Sequence, residues 1–358
     1  NSLTFSTGTQ KHQTYFSAAT TNARNILPNS GYNRYNFTFR DVTKFLKDKL
    51  TVDLSASYIL QDNKNMIAAG KYFNPLPALY LFPRGDDFDN VRLYQRWDES
   101  RNLYTQAWDY GSGDMSFQNP YWIMNKMINQ TKKRRYMLSA NLKYDVTDWL
   151  DVTGRVKVDN ADMDITEKRY AGTDTNFAGE KGMYSIIKRN DRQIYADAIA
   201  NIDLTFAGDY HLSANVGASL KDVRMDFMGW GGDLRKIPNF FSITNISTTN
   251  YKEREDGSHI QSQSIFANVE LAWKSMLYLT VTGRNDWESA LAFSKYKSFF
   301  YPSVGLSAVV SEMVDMPEWF SFLKVRGSYS AVGSSYAAYL TKPYYDYKGQ
   351  THEWDSLH

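Results

Sequence analysis

The sequence has no cysteine and only five histidines among its 358 residues. Without cysteine, this chain cannot form disulfide bonds or a cysteine-ligated zinc site. Its histidines are scattered, with neither the His-Glu-x-x-His spacing nor the helical pairing that predicts a metal site. No nucleophile, carboxylate pair or glycine-rich phosphate loop stands out. We therefore expect no enzymatic activity, no metal centre and no cofactor.

The net charge is close to zero, and long apolar runs are missing from the sequence. The formal net charge is +2, from 41 basic and 39 acidic residues, so the basic footprint of a nucleic-acid-binding protein is missing. No apolar run approaches the roughly 18 residues that predict a transmembrane helix. Membrane-spanning strands are not excluded by this, because they carry only a weak alternating signal.

The sequence is instead rich in strict two-residue alternation of apolar and polar side chains. In residues 50–60, the apolar positions alternate with Thr51, Asp53, Ser55 and Ser57. The pattern recurs in 136–146, 150–158, 194–206 and 212–220 and, less regularly, in 265–273, 278–284, 303–310 and 323–329. Alternation predicts strands, and these runs exceed the average globular strand of about five or six residues. Their length matches the roughly 9–11 residues that a tilted strand needs to cross a bilayer.

The predicted connections alternate between short and long. Short ones lie at 46–49, 147–149, 207–209 and 274–275, and long ones at roughly 61–131, 160–190, 222–260 and 285–298. An outer-membrane barrel has this asymmetry, with short periplasmic turns and long extracellular loops. Aromatic residues near strand ends, at 149, 273, 287, 299–301 and 319–320, suit interfacial girdles. We predict an all-β fold, an antiparallel transmembrane β-barrel with about a dozen strands in this chain.

Several longer strings resemble the barrel of SusC/RagA-type TonB-linked outer-membrane transporters of Bacteroidota. They are GRNDWESALAFSKYKSFFYPSVGLSAVVSEM (283–313), FLKVRGSYSAVGSS (322–335) and the stretch 79–126, which contains Asn119-Pro120-Tyr121-Trp122. Residues 32–46 and 134–157 match as well. The resemblance covers essentially the whole chain, and its strings are specific when taken together.

The resemblance implies a plugged barrel of about 22 strands in the outer membrane, energised by TonB. It also implies a SusD-like surface lipoprotein as a lid and oligosaccharides or peptides as cargo. Compared with the complete family pattern, we expect the plug, the TonB-contacting segment and the last strands to lie outside residues 1–358. We therefore expect residues 1–358 to be about the first dozen strands of one barrel domain, with 61–131 as its large extracellular loop.

Charged residues on the polar faces of the strands are expected to line the lumen. These are Asp53, Lys143, Arg155, Lys157, Asp197, Asp203 and His211. They either keep the wall wet and pair with a plug or guide a polar substrate past it. We favour the first alternative, because a plugged lumen needs polar partners on its wall.

Substrate binding is expected in the largest loop, which carries many aromatic residues. These are Trp97, Tyr104, Trp108, Tyr110, Tyr121 and Trp122. Aromatic faces stack on sugar rings and also bury peptide side chains. The same residues can equally serve to pack the loop onto itself or onto a lid. The acidic run 86–90 is better explained as a solvated loop than as a calcium site, because it lacks the required spacing.

Two other classes of protein remain open from the sequence. A passive pore or adhesin would be a self-contained barrel with no lid and no energy input. A soluble all-β surface protein, such as a carbohydrate-binding sandwich, would bury both strand faces against protein. Strand length and loop asymmetry argue against the soluble alternative.

Overall fold

The protein is described by a computed structural model over residues 1–110, 117–317 and 319–342. Strands dominate it. The strands are β1 (Ser2–Gly8), β2 (His12–Arg24), β3 (Gly31–Phe45), β4 (Leu50–Lys64), β5 (Gln95–Asp98), β6 (Leu103–Gln106), β7 (Met127–Thr147), β8 (Leu150–Tyr170), β9 (Gly182–Phe206), β10 (Tyr210–Leu234), β11 (Ile246–Trp273), β12 (Leu277–Glu288), β13 (Ser298–Val309) and β14 (Lys324–Ser330). The helices are α1 (Pro75–Tyr80), α2 (Asp89–Arg92) and α3 (Pro120–Lys126). Across the described ranges, no helix is long and apolar enough to cross a membrane.

Twelve strands form one sheet whose order follows the chain, β1-β2-β3-β4-β7-β8-β9-β10-β11-β12-β13-β14. β5 and β6 form a separate two-stranded hairpin between β4 and β7. The predicted all-β antiparallel architecture and the count of about twelve strands are confirmed. The described chain comprises two compact units. The first contains Asn1–Asp145, Thr153–Ala196 and Val223–Ser258, and the second Val146–Val152, Asp197–Asp222 and the described part of 259–358.

The predicted short turns are confirmed at 46–49, 148–149, 207–209 and 274–276. Three of them reverse the chain through residues with positive φ. In the first turn, Leu46, Lys47 and Asp48 have φ of 53°, 56° and 70°. In the other two, Ala207 and Gly208 have φ of 51° and 72°, and Lys274 and Ser275 have φ of 50° and 57°. Such left-handed residues give a turn the twist that suits the flanking strands.

Two predicted long loops were wrong in extent. The connection assigned to 160–190 contains only 171–181, because β8 continues to Tyr170 and β9 begins at Gly182. The connection assigned to 222–260 shrinks likewise to 235–245. These strands, 21 to 28 residues long, exceed the about 9–11 residues that cross a bilayer. At its C-terminal end, β8 carries polar residues such as Asp162 on the face where Val152 and Val156 are exposed. The pattern of alternation stops there, although the strand pairing does not.

Each unit has an apolar face and a polar face. In the first unit, hydrogen-bonded neighbours align Phe5, Phe16, Phe39, Ala56 and Leu138 in one row across five strands. The four larger side chains of this row are all exposed. A soluble protein rarely exposes so continuous an apolar row. A lipid-facing sheet requires it.

The second unit repeats this arrangement. Val269, Val281, Val304 and Tyr329 align in one row across β11 to β14. Next to Val281 in sequence, Thr282 pairs with Asn268 and Ser303 on the opposite face. Apolar and polar residues therefore separate onto the two faces of the sheet.

Candidate functional site

The connection between β4 and β7 is a folded assembly, in which α3 is the central element. The predicted loop 61–131 begins and ends within strands, because β4 extends to Lys64 and β7 starts at Met127. Pro120 occupies the first turn of α3, where a missing N–H costs nothing. The Asn119 side chain caps the helix by accepting from the backbone N–H of Tyr121 at 2.8 Å and of Trp122 at 3.4 Å.

The Asn119 amide group also holds two other parts of the loop. It donates to the carbonyl oxygen of Val91 at 2.9 Å and to that of Ala107 at 3.0 Å. Both Asn119 and Val91 are fully buried. A buried amide with all these partners fixes the loop segments at defined positions around α3.

Trp122 was expected to contact substrate, but the structure buries it completely. Its ring forms a hydrophobic cluster with Ile123 and Met127, and its Nε1 donates to Thr173 Oγ1 at 2.9 Å. This contact joins α3 to the 171–181 connection. The ring is inaccessible to a ligand in this conformation, so for Trp122 the packing alternative holds.

The other loop aromatics differ in accessibility. Trp97 and Tyr104 pair across the β5–β6 hairpin with ring centroids 5.1 Å apart, and they are 50% and 52% exposed. Trp108 and Tyr110 pack edge-to-face at 5.0 Å, and both are partly buried, as is Tyr121. The hairpin pair is thus the best-presented aromatic surface of the expected set.

The charged residues of the polar strand faces are mostly engaged with neighbours. Asp53 accepts from Arg40 Nε at 2.9 Å and from Arg40 Nη2 at 2.8 Å. Lys143 lies 3.2 Å from Asp145, and His211 lies 3.7 Å from Asp203. The Asp53–Arg40 and Lys143–Asp145 pairs bring opposite charges together on the polar face, and partly exposed pairs of this kind add little stability.

The remaining three charges of this set differ in burial. Asp197 is buried, Arg155 is partly buried and Lys157 is exposed. Their role as lumen lining stays a prediction.

A cluster of charges at the C-terminal end of β8 was missed in the sequence. Arg169 donates to the carbonyl oxygen of Phe177 at 2.7 Å and to Glu167 at 3.2 Å. Its guanidinium also lies 4.6 Å from the centre of the Phe73 ring. Burial lowers the pKa of Arg169 from its ordinary value, with Glu167 acting in the opposite direction.

Two clefts meet at this cluster. A polar cleft of about 400 Å³ lies between Arg169, the 171–181 connection and β10, with Trp230, Asp233 and Lys252 also in its wall. A smaller cleft of about 190 Å³ shares Glu167 and Arg169 and is otherwise largely apolar. We refer to them as the polar cleft and the apolar cleft.

Glycines on β10 set the depth of the polar cleft. A Cβ added at Gly229 would lie 2.8 Å from the Ile187 Cγ1, and one at Gly231 would lie 2.9 Å from the Ser185 Oγ. Larger residues would therefore have to displace the side chains of β9. Glycine at both positions lets the two strands and the cleft floor approach closely.

Comparison with known proteins gives three kinds of similarity. The family model described as TonB dependent receptor-like, beta-barrel matches residues 78–350. The chain is 23% identical to "TonB-dependent receptor P26" of Formosa agariphila, over 92% of this chain and 32% of that protein. The structure of the RagAB peptide importer in its open-open state aligns with a TM-score of 0.70 at 15% identity, over 92% of this chain and 36% of that one.

A more distant fold match has a different cargo in its name. The unliganded ferric citrate transporter FecA aligns with a TM-score of 0.52 at 9% identity, over 86% of this chain and 38% of that one. The chain therefore spans about a third of the length of these proteins. The matches confirm the resemblance to SusC/RagA-type TonB-linked barrels as regards family and fold.

Proposed function

Because the chain belongs to the TonB dependent receptor-like β-barrel family, we propose that it is the barrel part of a TonB-dependent importer. Barrels of this family lie in the outer membrane. The observation that carries the proposal is the family match over 78–350 together with the twelve-stranded antiparallel sheet. Membership of a receptor family implies import and not catalysis. The expectation that the chain is not an enzyme agrees with this.

The proposed cargo is an oligosaccharide or a peptide. The half-exposed Trp97–Tyr104 pair supports both, since aromatic faces stack on sugars and cover apolar side chains. The RagAB protein that shares the fold is named as a peptide importer. At 15% sequence identity, this similarity is evidence for the fold and not for the substrate specificity.

We further propose a SusD-like surface lipoprotein as a partner on the loop side, with TonB acting through a plug. Large apolar side chains on the loop assembly support an external partner. Tyr80 is 85% exposed, and Leu81 and Leu93 are also largely exposed. All three lie in the segment 80–93, and exposed apolar surface is a common feature of protein association sites.

The test is uptake by cells that carry the full-length protein, with and without TonB. Radiolabelled mixtures of short peptides and of oligosaccharides are supplied separately, and label in the periplasm is measured. We expect accumulation of one mixture that disappears when TonB is deleted. Equal accumulation without TonB would establish the passive pore, and no accumulation of either mixture would favour the adhesin.

A further inference from the structure

The apolar face of the sheet ends at a defined level on the loop side of β4 and β7. On β7, apolar side chains occupy this face from Tyr144 to Tyr136, and Tyr58 of β4 pairs with Tyr136. This length suits the roughly 9–11 residues that cross a bilayer, and tyrosines at its end suit the headgroup level. The next residues on the same face, Arg134 and Lys132, are exposed cations. This level is therefore the boundary between the hydrocarbon and the loop-side headgroups.

An open cleft of about 720 Å³ lies at this boundary, within the first unit. We refer to it as the external cleft. Tyr58, Tyr136 and Met228 form the apolar part of its wall, and all three are exposed. The rest of the wall is largely charged. A cleft with one apolar and one charged side matches an amphiphile, with its polar group above the boundary and its apolar part below.

The charged wall lies on the same side of the sheet as the apolar row. Asp162 on β8 is an even number of residues from the exposed Val156, and Arg224 on β10 is an even number from the exposed Leu220. On β9, Asn190 donates to Asp162 at 2.7 Å, which places Asn190 on this side as well. The external cleft therefore opens toward lipid and away from the lumen.

Most charges on this side of the cleft already have partners. Two ion pairs are formed by Arg134 with Asp164 at 2.9 Å and by Arg224 with Asp226 at 2.8 Å. Asp162 is held by Asn190. Within the described residues, Lys188 and Glu255 of the same wall have neither a hydrogen bond nor an ion pair, and both are exposed. The cleft thus offers one cation and one anion, and no net charge, to a ligand.

We propose that the external cleft binds a membrane lipid whose headgroup carries both a phosphate and an ammonium group. The phosphate binds at Lys188 and the ammonium at Glu255, so each charge that the protein leaves unpaired gains a partner. The acyl chains pass over Tyr58, Tyr136 and Met228 into the bilayer. A headgroup with a phosphate alone leaves Glu255 unpaired beside it. Because the site faces away from the lumen, it is independent of the transported cargo.

The test measures lipid binding to the detergent-purified full-length protein by native mass spectrometry. The probes are phosphatidylethanolamine, phosphatidylglycerol with the same acyl chains, and soluble glycerophosphoethanolamine. Lys188→Gln and Glu255→Gln each remove one of the two unpaired charges. Lys295→Gln and Glu99→Gln, at exposed positions outside the cleft wall, are the matched controls.

We expect phosphatidylethanolamine to bind the wild-type protein about tenfold more tightly than phosphatidylglycerol, the scale of one charge-assisted hydrogen bond. Glu255→Gln should weaken only phosphatidylethanolamine and so remove this difference. Lys188→Gln should weaken both lipids, because both carry a phosphate. The soluble headgroup should bind about tenfold or more weakly than the lipid, because it lacks the chains that cover the apolar wall. Both control variants should bind the two lipids as the wild type does.

Equal binding of the two lipids by the wild type, or an unchanged preference in Glu255→Gln, would overturn the proposal. Unchanged lipid binding by Lys188→Gln would overturn the phosphate contact. If the soluble headgroup binds as tightly as the lipid, the ligand comes from solution and the membrane assignment is wrong. All four variants change exposed side chains, so each should keep the heat-modifiable gel mobility of the folded barrel.

Discussion

Replacing Val281 with arginine places a charge on the apolar face of β12 near the middle of the strand. Val281 is 46% exposed and lies in a row with Val269 and Val304. It is also close to midway between Leu277, where β12 begins, and Trp287 near its end. If this face meets lipid, the side chain lies near the bilayer midplane.

The expected penalty follows from that position. An arginine on the lipid face at the midplane costs about 2–4 kcal/mol. At 1.4 kcal/mol for each factor of ten, this is roughly a 30- to 700-fold loss in the folding equilibrium. Thr282→Arg is the matched control, because Thr282 lies beside Asn268 and Ser303 on the polar face.

The assay is the heat-modifiable gel mobility of the full-length protein in outer-membrane fractions, followed by urea titration of the folded form in lipid vesicles. We expect less folded Val281→Arg and a lower urea midpoint, with Thr282→Arg close to wild type. Equal assembly of the two variants, or greater loss in Thr282→Arg, would refute the assignment of the two faces.

Three further predictions concern the loop assembly. Trp122→Ala should destabilise the assembly by about 3–5 kcal/mol, seen as faster amide exchange around α3, whereas Trp97→Ala on the exposed hairpin should leave exchange unchanged. Deleting 90–118 should abolish uptake while the barrel keeps its heat-modifiable mobility, and normal uptake would show that the hairpin lies outside the transport path. Burial lowers the pKa of Lys126 from 10.5. Folding therefore opposes protonation of Lys126, and α3 should become more protected as the pH rises toward 10.5, a trend that Lys126→Met should remove.

The strands and turns within the bilayer region are predictable from the sequence for a physical reason. A strand with lipid on one side and water on the other must alternate, as 50–60 does around Asp53. The ends of the long strands are not predictable in this way. Around Asp162 and Asp164 the apolar face has ended, so pairing continues without a periodic signal.

The loop site was predicted only in part. Composition does not distinguish the buried Trp122 from the exposed Trp97, because both are tryptophans in one long loop. A local signal did exist: Asn119 followed by Pro120 is a typical helix start, which predicts a short helix with an inward face. Arg169 had no such signal, since its neighbour Phe73 lies far away in the chain.

The most direct test of the account is to measure which end of the strands faces the cell exterior. The chain has no cysteine, so single cysteines placed within it can be labelled selectively. Tyr80→Cys lies on the loop side, and Asp148→Cys and Ser275→Cys lie in short turns between strands. With a membrane-impermeant maleimide on intact cells, Tyr80→Cys should label at once and the turn variants only after the outer membrane is permeabilised. Labelling of all three at the same rate on intact cells would contradict an outer-membrane barrel with its loops outside.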